Sequence, residues 1–241
     1  MKTIIYQQVF LRDAAQARLF GVSHALIRRL NPDAHTLVID NGSEIDPWEY
    51  AQPDLYFRFP ERIGHFFHDF HGMPDGSVPR DGPGRAHCMA MQIAMEAGYD
   101  RAVYIEADAL FAKPVEWGFA QMTTPVACQP ACMYYKLDWH VVWFRDLKWL
   151  KTFDFPGRYD WQNRTGEPGG EPAGEVIWHQ ILGDNVASLP VRGTRGESIS
   201  LDENNYWMFY PDGCDLVTHV STATCAHFLK MNGHPDLADR L

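Results

Sequence analysis

One short stretch constrains this chain more than any other. The apolar run Ala102-Val103-Tyr104-Ile105 ends in Glu106-Ala107-Asp108, and apolar sequence resumes at Ala109-Leu110-Phe111. Residues i and i+2 of a strand point to the same face. Glu106 and Asp108 are therefore expected to project together from the carboxyl edge of a sheet, where open α/β sheets bind ligands. Two adjacent like charges are costly unless something positive lies between them. Oxygen ligands at this spacing suit a hard divalent cation such as Mn²⁺ or Mg²⁺. The plainer alternative is a strand that ends in two solvated acids.

The preceding segment adds context. Asp81-Gly82-Pro83-Gly84 reads as a turn. Ala86, Met89, Ala90, Ile93, Ala94 and Ala97 then recur at helical spacing, with Pro83 at the helix entrance and Gly98 at its exit. After Tyr99-Asp100-Arg101 comes the strand from Ala102. The succession from Gly84-Arg85-Ala86-His87 through Ala97-Gly98-Tyr99-Asp100 to Glu106-Ala107-Asp108-Ala109-Leu110-Phe111 resembles the nucleotide-sugar-dependent glycosyltransferases of the GT-A fold. The departure is Glu106, where that family usually carries Asp. The resemblance implies one α/β domain over residues 1–241, with a Rossmann-like, mostly parallel sheet flanked by helices. Residues 1–115 would form the nucleotide-sugar half, and residues 116–241 the acceptor half with the C-terminal metal-site segment.

The rest of the chain fits that outline. Thr3 to Val9 reads as a first strand, Ala14 to Leu30 as a helix broken by Asn31-Pro32-Asp33, and His35 to Asp40 as a second strand. A strand–helix–strand start implies a parallel sheet with a right-handed crossover. By the resemblance, Asp40 meets the donor's base or ribose; by turn chemistry, it caps Asn41-Gly42-Ser43. Asp54 to Phe59 is expected as a third strand. His65, His68 and His71, with Asp69, form either a zinc site or a glycine-flanked loop. Pro125 to Met133 reads as a strand, and the aromatic-rich span Trp139 to Leu150 as core. Pro156 to Gly174, rich in glycine and proline, reads as a lid. Glu175 to Leu182 is an amphipathic helix stopped by Gly183. Val186 to Val191 is a strand that Pro190 confines to an edge or ends early, and Asp215 to Val220 is another.

The resemblance also implies site residues. An acid opening the late helix would be the base of an inverting enzyme, matched by Glu175 with Glu171 nearby; an acid there also favours a helix N-terminus. A C-terminal His would complete the metal site, matched by His219 or His227, and Lys230 would meet the diphosphate. Arg85, beside a helix N-terminus that attracts anions, is a second cationic candidate. The Mn²⁺ or Mg²⁺ would act as a Lewis acid on the leaving diphosphate.

Charge and composition bound the partners. A net charge of −10 disfavours nucleic acid, which needs basic patches, and makes a cation useful for an anionic donor of the UDP or GDP type. The acceptor would be a glycan or a lipid-linked hydroxyl. No run approaches the roughly 18 apolar residues of a membrane span, and the N-terminus lacks a signal-peptide pattern. Five cysteines at scattered positions read as reduced thiols, so a cytoplasmic location is expected. Cys128 and Cys132 read as a strand and its turn rather than a metal pair. Two other classes stay open: a sugar-phosphate nucleotidyltransferase, disfavoured by the glycine-free Phe10-Leu11-Arg12-Asp13, and a non-catalytic sugar-binding domain suggested by tryptophan content.

Overall fold

The computed structural model describes residues 1–63, 81–130, 137–162, 174–195 and 213–241. Its main sheet has seven strands in the order β3-β2-β1-β4-β7-β6-β8. These are β1 (Thr3–Val9), β2 (His35–Asp40), β3 (Leu55–Arg58), β4 (Arg101–Ile105), β6 (Val126–Pro130), β7 (Leu137–Phe144) and β8 (Val186–Ser188). β1 is parallel to β2 and β4, and β2 to β3. β7 runs antiparallel between β4 and β6. β8 is the edge strand and stops before Pro190, which could not donate to a ladder. A second sheet of three strands joins β5 (Leu110–Phe111), β10 (Leu216–Thr218) and β9 (Gly193–Arg195) in the order β5-β10-β9.

Helix α1 (Ala14–Leu30) begins where the Asp13 carboxylate accepts from the Ala15 and Gln16 amides, both at 2.9 Å, and ends on Arg28 and Arg29, which suit its negative pole. Helix α2 (Gly82–Glu96) is capped by Asp81, which accepts from the Gly84 amide at 3.0 Å. It ends before Gly98, whose φ of 72° is the left-handed turn that glycine makes easily. Helices α3 (Leu147–Phe153), α4 (Gly174–Leu182) and α5 (Thr222–Met231) complete the layers. One core packs Ile4, Tyr6, Tyr104 and Phe144 beneath α2 and α4; another packs Ile5, Val103, Ile105 and Trp143 on the opposite face. β1, β4 and β7 are thus buried on both faces, as central strands of a layered α/β sheet must be.

The glycines of the 81–84 turn serve packing. A Cβ at Gly84 would lie 2.2 Å from Tyr159 Cε1, and one at Gly82 would lie 2.2 Å from the Ile63 carbonyl oxygen. Tyr159 is held there because its hydroxyl donates to Asp81. This corrects the expected lid at its start. Phe155–Arg158 is a helical turn, and Phe155 and Tyr159 are fully buried against Trp178 of α4. Burying two aromatic rings outweighs the chain freedom that Pro156 and Gly157 suggest. Residues 163–173, with Glu171, lie outside the described residues, as do His65, His68, Asp69, His71 and Cys132. Among the described residues, Cys88, Cys128, Cys214 and Cys225 form no disulfide with one another. Among the described residues no helix is long and apolar enough to cross a membrane.

Candidate metal centre and adjoining cleft

The acidic pair sits where β4 leaves the main sheet. The Ala109 amide donates to the Glu106 carbonyl at 3.1 Å, closing a turn over residues 106–109, after which β5 enters the small sheet. Two antiparallel registers then bring partners to the two carboxylates. On one side Ile105 pairs with Val141, and the Glu106 amide donates to the His140 carbonyl at 2.8 Å, so His140 stands directly opposite Glu106. On the other, β10 pairs Leu216 with Phe111 and Val217 with Leu110. β10 ends at Thr218, and this pairing delivers His219, the next residue, to the acidic turn beside Asp108.

The side chains close on one another accordingly. His219 Nδ1 is 3.1 Å from Asp108 Oδ2, and its Nε2 is 3.6 Å from Glu106 Oε2. His140 Nδ1 contacts the same Glu106 Oε2, and the Thr218 hydroxyl donates to it at 3.4 Å. Ligand atoms of Glu106, His140 and His219 all lie within 4.8 Å of one another. His219 adopts φ 52°. A left-handed backbone costs a non-glycine residue of order 1–3 kcal/mol and clusters at functional sites; here it accompanies the ring's turn toward the acids. The hydrogen bond to Asp108 raises His219 above its ordinary value against the opposing effect of burial. Burial pushes Asp108 up, but the hydrogen bond and charge of His219 outweigh it and hold the carboxyl below its usual range.

A buried relay fixes the turn from behind. The Ser23 hydroxyl donates to the Ala109 carbonyl at 2.7 Å and accepts from the Gln7 amide at 3.1 Å, while Gln7 Oε1 bonds His24 Nδ1 at 3.0 Å. Burial, then the Arg28 charge, pushes His24 down to about 4, so it is neutral at pH 7. In front of the turn lies a cavity of about 410 Å³, within the range of small-molecule sites. It is bounded by Gln8 and Phe10 at the end of β1, Arg18 on α1, Thr222, and the acids themselves.

The residues expected from sequence divide clearly. Glu106, Asp108 and His219 come together. His227 and Lys230 lie on the exposed side of α5 and do not line the cavity. Asp40 is fully buried: it accepts from the Ser43 amide at 2.8 Å and the Tyr56 hydroxyl at 3.0 Å and pairs with Arg58, which is the turn-capping role. The Arg85 guanidinium is also buried, bonded to Asn41 Oδ1 at 2.6 Å and the Glu61 carbonyl at 2.9 Å, and stacked on Phe59. It buttresses α2 instead of facing the cavity. Glu175 is the second residue of α4. His140 and Arg18 were not anticipated. Nothing local marks them: His140 sits in an apolar strand, and only pairing with β4 gives it a role.

No protein-family model matches the sequence, and no curated protein matches it. Solved structures do share the fold. An active-site mutant of LgtC aligns with TM-score 0.52 at 12% identity, over 90% of this chain and 86% of that one. The glycosyltransferase GlyE of Streptococcus pneumoniae TIGR4 aligns with TM-score 0.54 at 12% identity, over 92% of this chain and 55% of that one. The S. aureus protein TarS, residues 1–349, aligns with TM-score 0.50 at 9% identity, over 96% of this chain and 64% of that one. The fold is therefore the GT-A type, a mostly parallel sheet with the acidic turn at its carboxyl edge.

Proposed function

We propose that this protein is a metal-dependent glycosyltransferase that moves a sugar from a nucleoside-diphosphate sugar, of the UDP or GDP type, to a hydroxyl of a glycan or lipid-linked acceptor. The observation that supports it is the meeting of His219 with Glu106 and Asp108, the two acids that line the 410 Å³ cavity, on the carboxyl edge of a GT-A sheet. Two carboxylates and an imidazole form a donor set that Mn²⁺ accepts readily and Mg²⁺ less so. A cation held there would neutralise charge developing on the leaving diphosphate.

The chain's own groups supply the rest. Gln8, near the end of β1, and Phe10, just past it, line the cavity and offer an amide and a flat ring to a nucleoside. Arg18 is the cation on the cavity wall and stands in the electrostatic role first read for Arg85 and Lys230. The Ser23 relay holds the acidic turn, so its carboxylates are placed before a ligand arrives. Glu175, the second residue of a helix anchored by the buried Trp178, keeps the role that the resemblance gives it, the base for the acceptor hydroxyl if the reaction inverts.

Thermal shift with UDP, GDP, CMP and dTDP, each with and without Mn²⁺, tests the reading. One diphosphate is expected to raise Tm only with Mn²⁺, and Asp108→Asn should abolish that shift while keeping the unliganded Tm near wild type. A shift with nucleoside triphosphates alone would replace it with nucleotidyl transfer. No shift with any nucleotide would refute nucleotide-dependent chemistry.

A further inference from the structure

We propose that His140 is a direct metal ligand, so that the centre presents two imidazoles and two carboxylates and selects first-row transition-metal ions over Mg²⁺. The inference rests on the metal-site reading above and extends it to a residue from a different strand. His140 is 4% exposed, faces Glu106 across the β4–β7 pair, and belongs to the group whose ligand atoms lie within 4.8 Å of one another.

Ring geometry is compatible with coordination by both imidazoles. At a metal–nitrogen distance of about 2.1 Å and roughly 1.1 Å from nitrogen to ring centre, centroids of two cis imidazoles fall about 4.5–5.2 Å apart for N–metal–N angles of about 90–109°. The His140 and His219 centroids are 5.1 Å apart, with planes at 71°. That separation corresponds to an angle of about 105°. The separation is one that cis ligands can adopt and is equally ordinary for an edge-to-face ring pair, so it permits coordination by both rings without requiring it.

The donor set carries the selectivity. Imidazole nitrogen suits zinc, iron, nickel and copper; Mn²⁺ shares the oxygen preference of Mg²⁺ but stands in the transition series that takes nitrogen donors, whereas Mg²⁺ keeps oxygen ligands and several waters. One imidazole leaves room for Mg²⁺; two, both pressed against the acids, bias the site away from it. An alternative role for His140 is to orient Glu106 from outside the coordination sphere. Such a partner also changes metal affinity by roughly 10–100-fold when removed, so affinity alone does not separate the two roles.

Counting nitrogens does. Pulsed electron paramagnetic resonance of the full chain loaded with Mn²⁺ alone should show two coupled imidazole nitrogens in wild type. One should remain in His140→Asn and one in His219→Asn. Titration should show Mn²⁺, Co²⁺ and Zn²⁺ binding more tightly than Mg²⁺, with His140→Asn weakening Mn²⁺ by roughly 10–100-fold and Mg²⁺ little. A single coupled nitrogen in wild type would overturn the proposal without any variant needing to fold, and would leave the site of Glu106, Asp108 and His219 standing. Mn²⁺ affinity unchanged by Asp108→Asn would overturn the underlying metal reading as well.

Discussion

Acid should destabilise this protein through two histidines that the fold keeps neutral. His24 and His87 are 3% and 5% exposed. Burial, with the Arg28 charge, pushes His24 from 6.5 down to about 4, and burial alone pushes His87 down to about 3. Between those values and 6.5 the unfolded chain binds protons that the native state refuses, so stability falls as pH falls through this window. Each imidazole is expected to cost about 2 kcal/mol between pH 7 and pH 5, together about 4 kcal/mol, a large share of the ~5–15 kcal/mol that holds a domain folded. The test is urea unfolding at both pH values for wild type, His24→Gln and His87→Gln. The variants keep polar partners for Gln7 and for Tyr6, which bonds His87 at 3.0 Å. Each should lose about 2 kcal/mol less than wild type between pH 7 and pH 5. Carboxylates that titrate in all three proteins cancel in that difference. A variant whose loss equals that of wild type would show that its imidazole is already protonated in the native state, and the burial argument would fail.

Three further outcomes follow from the same geometry. Gly84→Ala would press a Cβ to 2.2 Å from Tyr159; overpacking of about 1–3 kcal/mol should lower Tm by roughly 2–12 °C, and an unchanged Tm would show that Tyr159 yields freely. Ser23→Ala removes the donor to the buried Ala109 carbonyl, so stability should fall by about 1–3 kcal/mol and Mn²⁺ affinity should weaken with it; a stability loss at constant affinity would confine Ser23 to folding. Glu175→Gln should cut turnover by roughly 10²–10⁴-fold while Mn²⁺-dependent nucleotide binding persists, and near-normal turnover would remove Glu175 as the base.

Local chemistry made much of the fold legible in the sequence. β1, α1 and β2 run over the residues read for them, and α1 stops at the Asn31-Pro32 break. The helix before the acidic turn stops at Gly98 because only a left-handed residue fits there, and β8 stops short of Pro190 because proline has no donor. Glu106 and Asp108 were visible because their relation is local, two residues apart after one apolar run. The structure sets them in the turn that follows β4 and not on the strand's face, because β4 ends at Ile105 and the chain turns toward β5. Asp40 and Arg85 misled as ligand contacts for the opposite reason. Their residue types suit a ligand, but burial, which sequence does not display, ties both to the protein's own amides, carbonyls and hydroxyls. His219 was one of two candidates that the resemblance offered, whereas nothing in the sequence marked His140; both reach the acids only through tertiary structure. His140 is 34 positions from Glu106 and His219 is 111 from Asp108, counted along the sequence. What brings each histidine to its carboxylate is an antiparallel pairing, β7 on β4 and β10 on β5. A one-residue slip of β7 on β4 would turn the His140 ring to the other face. Register is chosen by the whole buried surface of the sheet rather than by any nearby motif. The chain therefore announces its acids locally, and the fold alone decides which nitrogens meet them.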